Sequence, residues 1–219
     1  KSIDVSAARA MPGVVAVVTP QEMAEIHDPW VGVLTHLEGL KSAPQYALPL
    51  EKATWQGEAI VAIAAETRAI AEDAAALVEI DWEVLPSVTD AETATDGATP
   101  VIHDDLGDNL AWQRKADFGD TDAAYADADH VIEDTFVFGR HTGVCLEARG
   151  LVAEFEPAEE QLTVWHNNQC PHMIQNILAD KFRLDEHRVR VITRDVGGSF
   201  GIKVHTYADE IATVGLSIM

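Results

Sequence analysis

Hydrophobic and polar positions in the first 90 residues follow short strand-like and helix-like patterns in turn. Residues 14–18 and 59–65 are nearly continuous apolar runs, and such short runs predict buried strands. Residues 78–84 alternate between apolar and polar side chains, which predicts a half-exposed strand. Residues 20–27 predict a short helix with proline in its first turn, and Thr67 is the expected N-cap of the helix that follows it.

The second half of the chain predicts longer elements. Residues 130–139 are expected to form a long strand, and two strands are expected to flank a hairpin turn at residues 157–160. Residues 172–184 predict an amphipathic helix, 188–193 a strand and 205–216 a final helix. The chain therefore predicts a mixed α+β fold.

An acidic stretch rich in Ala, Gly and Thr separates these two halves, and it contains few large apolar residues. Long connectors in compact proteins usually wrap a surface or cross between domains. We therefore predict a first domain at residues 1–89, a connector at 90–128 and a second domain at 129–219.

Composition and charge exclude several classes of partner. The 219 residues are 47% hydrophobic with a net charge of -22, so the chain can bury a core but its field repels nucleic acid and anionic membranes. Residues 161–219 are formally neutral, with six basic and six acidic side chains. No apolar run is long enough to span a membrane, and we expect a cytoplasmic location. The chain opens without an initiator Met and stops inside an apolar helical pattern, so we expect it to be a piece of a longer polypeptide.

The stretch DVGGSFGIK, residues 195–203, lies between a predicted strand and a predicted helix. Glycines in this position let backbone N–H groups approach a ligand, but the stretch matches neither a Walker A loop nor GxGxxG. The simpler interpretation is a tight strand–helix connection in which Phe200 fills the core.

Two further stretches carry candidate chemistry. In NNQCPH, Asn167 and Asn168 are expected to cap the following helix, whereas Gln169 is long enough to reach a ligand. Cys170 and His172 suggest a thiol–imidazole pair, although no orienting acid is evident.

The second stretch is RHTGVCLEARG, residues 140–150, where Glu147 and Arg149 are expected to form a local ion pair or to serve as structural polar groups at a domain seam. Neither the histidines nor Cys145 and Cys170 have metal-ligand spacing, so we assign no metal held by protein side chains and no iron–sulfur site.

Several stretches, in their order and spacing, are similar to one family along nearly the whole chain. They are IDVSAARAMPGVVAVVT, WQGEAIVAIAAETRAIAEDAAALVEIDWEVLPSV, FGDTDAAYADADHVIEDTF, EARG, NNQCPH and DVGGSFGIK. Together they resemble the molybdenum-cofactor subunit of the xanthine oxidase, aldehyde oxidase and aerobic carbon monoxide dehydrogenase family. The resemblance implies an α/β-hammerhead domain followed by the beginning of a molybdopterin-binding α+β domain.

The resemblance also implies a cofactor and its contacts. In the family, molybdenum is held by a pterin dithiolene, often in bacteria as the cytosine dinucleotide form. The glutamine of the Q-x-P-H stretch, here Gln169, reaches an oxygen ligand of the metal, and the Gly-x-Phe-Gly loop lies beside it. The implied cofactor-binding residues are thus Gln169, Gly198, Ser199, Phe200 and Gly201. Iron–sulfur clusters and FAD are expected on partner subunits or domains.

The implied reaction is hydroxylation of an aldehyde, an N-heterocycle or a similar small molecule, with oxygen from water. The family's catalytic glutamate lies in a later segment, so no catalytic residue is assigned within this chain. Purine-oxidising members have a Glu where this chain has Val204, which argues against a xanthine-type substrate, and the family's Glu-Pro-Arg-Gly has Ala148 in place of proline. Two alternatives stay open: a non-catalytic ligand-binding or assembly protein that retains the fold, and a hydrolase using Cys170 and His172.

Overall fold

The computed structural model of the protein describes residues 1–32 and 36–219. None of the helices in this described part is long and apolar enough to cross a membrane.

Two antiparallel strand pairs organise the first 81 residues. Strand β1 (Ser2–Asp4) pairs with β4 (Glu79–Asp81), and β2 (Val14–Val18) pairs with β3 (Ala62–Ala65). The predicted strands at 59–65 and 78–84 are therefore present but shorter, because pairing to β2 and β1 extends over only part of each apolar pattern.

Three helices connect these strands: α1 (Ser6–Arg9), α2 (Pro20–Ile26) and α3 (Arg68–Ala75). Thr19 and Glu22 form a reciprocal capping box at the start of α2, which satisfies amide groups that a helix end leaves open. The predicted N-cap of α3 is confirmed, since the Thr67 hydroxyl accepts a hydrogen bond from the Ile70 amide at 3.2 Å.

Residues 130–139 do not form the predicted strand. They have no regular secondary structure, and Ile132 and Phe138 are each 90% exposed. The pattern suits a strand, but a strand also needs a hydrogen-bonded neighbour, and none of the described residues pairs with this segment. The predicted connector, residues 90–128, contains a 3-10 turn at Asp104–Leu106 and the helix α4 (Thr121–Ala126), which is capped by Asp120.

The last third of the chain is a three-stranded sheet with two helices. Strands β5 (Leu151–Glu156) and β6 (Gln161–His166) form the predicted hairpin, and β7 (Val189–Ile192) lies parallel to β6. Helix α5 (Pro171–Lys181) makes the crossover from β6 to β7. Helix α6 (Ala208–Ile218) follows residues 195–203, which we call the glycine loop.

One hydrophobic core joins both ends of the chain. Met23, Trp30 and Leu48 from the first half belong to the same buried cluster as Leu162 and Ile174 from the second. A smaller cluster lies under α1 and α3, and it is built from Val5, Ala8, Val17 and Ala74. The shared core packs against the sheet of β5, β6 and β7, and the candidate site lies at one edge of that sheet. The predicted boundaries at 89 and 128 stay a prediction.

Candidate functional site

The stretches NNQCPH and DVGGSFGIK meet because they follow neighbouring parallel strands. Trp165 of β6 pairs with Ile192 of β7, so both strands end at the same edge of the sheet. In sheets with parallel strands, the carboxyl ends are the usual place for ligands, because successive loops converge there. The parallel pairing therefore brings together two candidate segments that are 23 or more residues apart in the sequence.

Two asparagines brace this edge. Asn168 is buried: its carbonyl accepts from the Cys170 amide at 2.8 Å, and its amide nitrogen lies 3.3 Å from the Thr193 hydroxyl. The predicted capping role is wrong for both asparagines. The N-cap residue of α5 is Cys170, without a side-chain cap hydrogen bond, and Asn168 orders the turn just before it. The side chain of Asn167 accepts from the Gly150 amide at 2.9 Å and donates to the Ala148 carbonyl at 2.7 Å. Asn167 therefore fastens the EARG segment to the end of β6.

Gln169 lies at the junction of the two loops. Its backbone amide donates to the Lys203 carbonyl at 3.1 Å, and its side-chain carbonyl accepts from the Ser199 hydroxyl. The same hydroxyl accepts from the Lys203 amide at 3.2 Å. Both Gln169 and Ser199 are accessible, so this junction is ordered by the chain but still open to solvent.

The glycine loop has an unusual backbone. Gly198, Phe200 and Gly201 have φ values of 92°, 51° and 89°. Glycine adopts this left-handed region freely, but an L-residue such as Phe200 is strained in it. Strain of this kind persists where the surrounding structure imposes it and is concentrated at functional sites.

The Phe200 ring is not a core plug. It is 76% exposed, so the simpler interpretation of the loop as a tight connection filled by Phe200 is wrong. The described residues offer no hydrogen-bond acceptor to the consecutive amides of Ser199, Phe200 and Gly201. Successive free N–H groups in a turn with mixed φ signs form a concavity that accepts oxygen atoms of a ligand. This backbone fits an oxygen-rich cofactor, and the exposed ring gives it an apolar flank.

The EARG stretch supports the loop from behind. Of the two roles predicted for Glu147, the ion pair with Arg149 is wrong, and the structural one agrees with its contacts: the carboxylate binds the Lys203 ammonium at 2.7 Å and the Gly197 amide at 2.6 Å. The local pair does not form because Lys203, 56 residues away, is buried beside Glu147. The Lys203 ammonium and the Gly197 amide hold the pKa of the Glu147 carboxyl below its usual value.

Arg149 points instead to the start of α6. Its guanidinium binds Asp209 at 3.0 Å and Glu210 at 2.5 Å, and it stacks 3.9 Å above the Tyr207 ring. The buried carboxylate of Glu210 also lies 3.2 Å from His166 Nε2. Burial raises the pKa of the Tyr207 hydroxyl, which donates to the Ile202 carbonyl of the glycine loop at 2.8 Å. This network sets where α6 begins and hence where the loop ends.

The other candidate sites are the Cys170–His172 pair, a metal site held by side chains and two surface grooves. The structure shows no hydrogen bond between the Cys170 thiol and the His172 ring in the part of the chain that it describes. Across residues 1–32 and 36–219, no three His, Cys, Asp or Glu side chains are grouped closely enough to hold a metal ion. The grooves along β7 and the start of α5, lined by Gln175, Arg190 and Val191, are shallow and open. The glycine loop is therefore the better candidate.

Two family models match the chain. One described as "Molybdopterin cofactor-binding domain" matches residues 102–219, and one described as "Aldehyde oxidase and xanthine dehydrogenase, a/b hammerhead domain" matches residues 1–86. The chain belongs to this family of molybdopterin-binding subunits. The predicted fold, a hammerhead domain followed by the beginning of a molybdopterin-binding α+β domain, is confirmed.

Individual relatives agree with this assignment. The chain is 36% identical over 211 residues to the nicotine 6-hydroxylase large subunit of Paenarthrobacter nicotinovorans, covering 95% of this chain and 25% of the relative. It is 33% identical over 232 residues to the carbon monoxide dehydrogenase large chain of Afipia carboxidovorans, covering 100% and 28%. Quinoline 2-oxidoreductase from Pseudomonas putida 86 superimposes with a TM-score of 0.92 at 33% identity, covering 99% and 27%. The chain thus spans about a quarter of the length of these relatives.

Sequence reasoning missed the charged supports of the site. Glu147–Lys203 and Arg149–Glu210 join residues about 60 positions apart, and no local pattern reveals such pairs.

Proposed function

We propose that this chain forms part of a molybdenum hydroxylase and contributes one wall of its molybdopterin site. The observation that carries the proposal is the loop of residues 198–201, with its three positive φ values and its free amides, in a chain of the molybdopterin-binding family. The cofactor, when bound, supplies two-electron oxidation and reduction at molybdenum.

The roles of the chain's own residues follow from their geometry. The amides of Ser199, Phe200 and Gly201 are free to donate to cofactor oxygens, and the exposed Phe200 ring offers an apolar contact. Gln169, held by its backbone bond to Lys203 and by Ser199, presents a side-chain NH2 that can donate toward the metal's ligands. These assignments give the chain a binding and positioning role, with no general base among its own residues.

We extend the proposal to cofactor form, substrate and partners. The cofactor is the cytosine dinucleotide form. Two free cysteines are too few to hold an iron–sulfur cluster in this chain, so iron–sulfur and FAD subunits accept the electrons. The substrate is an aldehyde, an N-heterocycle or a similar small molecule; two relatives are named for nicotine and quinoline, both N-heterocycles. Val204 argues against a xanthine-type purine. A cytoplasmic location stays a prediction.

Cofactor analysis of the complete purified protein tests the proposal. We expect one molybdenum per polypeptide by elemental analysis, and release of a pterin and a cytidine nucleotide on acid hydrolysis. Molybdenum with a pterin but without the nucleotide would correct the cofactor form alone. An intact protein with neither metal nor pterin would refute the proposal. It would favour a non-catalytic binding or assembly role if the protein is inactive, and an unrelated activity if it is active.

The replacement Gln169→Ala tests the named side chain. Gln169 is exposed, so its loss is expected to leave the unfolding temperature nearly unchanged. Removal of a group that orients a metal's ligands typically lowers activity about 10–100-fold, and we expect a fall in kcat of that size. Gln21→Ala on the exposed face of α2 is the matched control and is expected to keep full activity. Equal kinetics for both variants would remove Gln169 from the site.

A further inference from the structure

Lys203 is the most unusual charged residue of the chain. It is the last residue of the glycine loop, yet it is only 2% exposed. A buried ammonium is costly unless a partner compensates it, and the Glu147 carboxylate does so at 2.7 Å. The energetic need for this contact fixes where the end of the loop lies relative to the EARG segment.

The same carboxylate oxygen also holds the beginning of the loop. Glu147 Oε2 accepts from the Gly197 amide at 2.6 Å, and the Glu147 amide lies 3.4 Å from the Gly197 carbonyl. A Cβ on Gly197 would lie 2.5 Å from the Glu147 Cβ, closer than real side chains approach. The two segments are therefore in backbone contact, and only glycine permits it.

Lys203 is also hydrogen-bonded, through its backbone, to two residues of the candidate site. Its backbone carbonyl accepts from the Gln169 amide at 3.1 Å, and its backbone amide donates to the Ser199 hydroxyl at 3.2 Å. Movement of Lys203 therefore moves both side chains at the junction. In the described part of the chain, the hydrogen bonds of Glu147 go to Gly197 and Lys203 and not to Gln169 or Phe200.

We propose that Glu147 and Lys203 are positioning residues that clamp both ends of the glycine loop and so hold Gln169 and Ser199 in place for the cofactor. The ligand in this inference rests on the proposed function, whereas the clamp itself rests on the contacts of this chain. Neither residue is assigned a chemical step.

Three variants of the complete purified protein separate the clamp from general stability. Glu147→Gln keeps the size and the acceptor for the Gly197 amide but leaves Lys203 without a countercharge. Lys203→Met removes the ammonium and keeps the length of the side chain. The double variant Glu147→Gln/Lys203→Met leaves no unpaired buried charge and is therefore expected to fold even if a single variant does not. Glu72→Gln, which breaks the exposed pair with Arg68 on α3, is the matched control.

The first measurement is hydrogen–deuterium exchange of the peptide covering residues 195–204, with the unfolding temperature recorded alongside. Loss of a charge-assisted hydrogen bond is expected to speed local opening by about tenfold or more, so exchange accelerates by that factor in each folded clamp variant. Exchange in β5 and β6 and in the control stays unchanged. Loop exchange that stays at the wild-type rate in every folded clamp variant, the double variant included, would overturn the proposal.

The second measurement is molybdenum and pterin content per polypeptide. We expect it to fall several-fold in the folded clamp variants and to stay full in Glu72→Gln, since a mobile loop retains the cofactor less well. A wild-type protein without molybdenum would refute the proposed function. The hydrogen–deuterium exchange rates alone would then decide whether the clamp exists. Full cofactor content together with unchanged exchange in the clamp variants would refute the clamp and leave the proposed function standing.

Discussion

Replacing Phe200 by alanine is expected to cost little stability despite the size of the ring. A fully buried aromatic side chain removes about 150–250 Å² from water, and Phe200, which is 76% exposed, removes about a quarter of that. At about 25 cal/mol per Å², the loss corresponds to about 1 kcal/mol in the free energy of unfolding. Phe182, which is 6% exposed in the core, is the matched comparison, and its replacement by alanine is expected to cost about 3–5 kcal/mol.

Urea denaturation of the 219-residue chain measures both values, provided that the dependence of the unfolding free energy on urea is the same in each variant. The functional effects are expected in the opposite order. In the complete protein, Phe200→Ala lowers cofactor content per folded molecule, and folded Phe182→Ala retains it. Similar stability losses at the two positions would refute the reasoning, because they would mean that the Phe200 ring packs in a core after all.

The remaining predictions concern the loop clamp and two helices. The pKa of the Glu147 carboxyl is held below its usual 4.5 in the folded protein. The stabilisation of the folded loop by this carboxylate is therefore present above pH 4.5 and is lost as the pH falls through the lowered pKa. Loop exchange corrected for intrinsic rates should therefore accelerate in acid in the wild type, and a flat profile there would contradict this. Thr19→Ala removes the capping box of α2 and should cost about 1 kcal/mol in urea denaturation, with an unchanged free energy contradicting the cap. Gly215→Ala places a Cβ 2.5 Å from Met23 Sδ. The overpacking should cost about 1–3 kcal/mol of unfolding free energy, more than the gain of about 1 kcal/mol in helix propensity. A variant more stable than the wild type in urea denaturation would contradict this packing.

Much of the fold could be predicted because local patterns and tertiary environment agree. The alternation in residues 151–156 and 161–166 predicts a hairpin, and the structure pairs these strands residue by residue. The same agreement holds for the cap at Thr67 and for the apolar stripe of α5. Residues 130–139 fail for the opposite reason: their pattern is that of a strand, but pairing is a property of two segments, and the described residues supply no second one.

The candidate site was predictable in its residues but not in its construction. The family resemblance carries Gln169 and residues 198–201 onto this chain, and their roles as cofactor contacts stay a prediction. Nothing local indicated that Phe200 is exposed with a positive φ, since an aromatic side chain between glycines fits a core plug equally well. The expected pair of Glu147 with Arg149 was wrong because two charges close in sequence can each find a better partner far along the chain.

By itself, the sequence of this protein determined the types of most elements, because periodicity, capping residues and glycine spacing act over a few positions. The resemblance of several stretches, in their order along the chain, indicated the family and marked NNQCPH and DVGGSFGIK as the candidate cofactor contacts. Only the tertiary structure decided that these stretches meet, since the parallel pairing of β6 and β7 brings their ends to one edge. It also decided that Lys203 is buried against Glu147, because a buried charge takes the partner that the folded chain places beside it, at whatever distance in sequence.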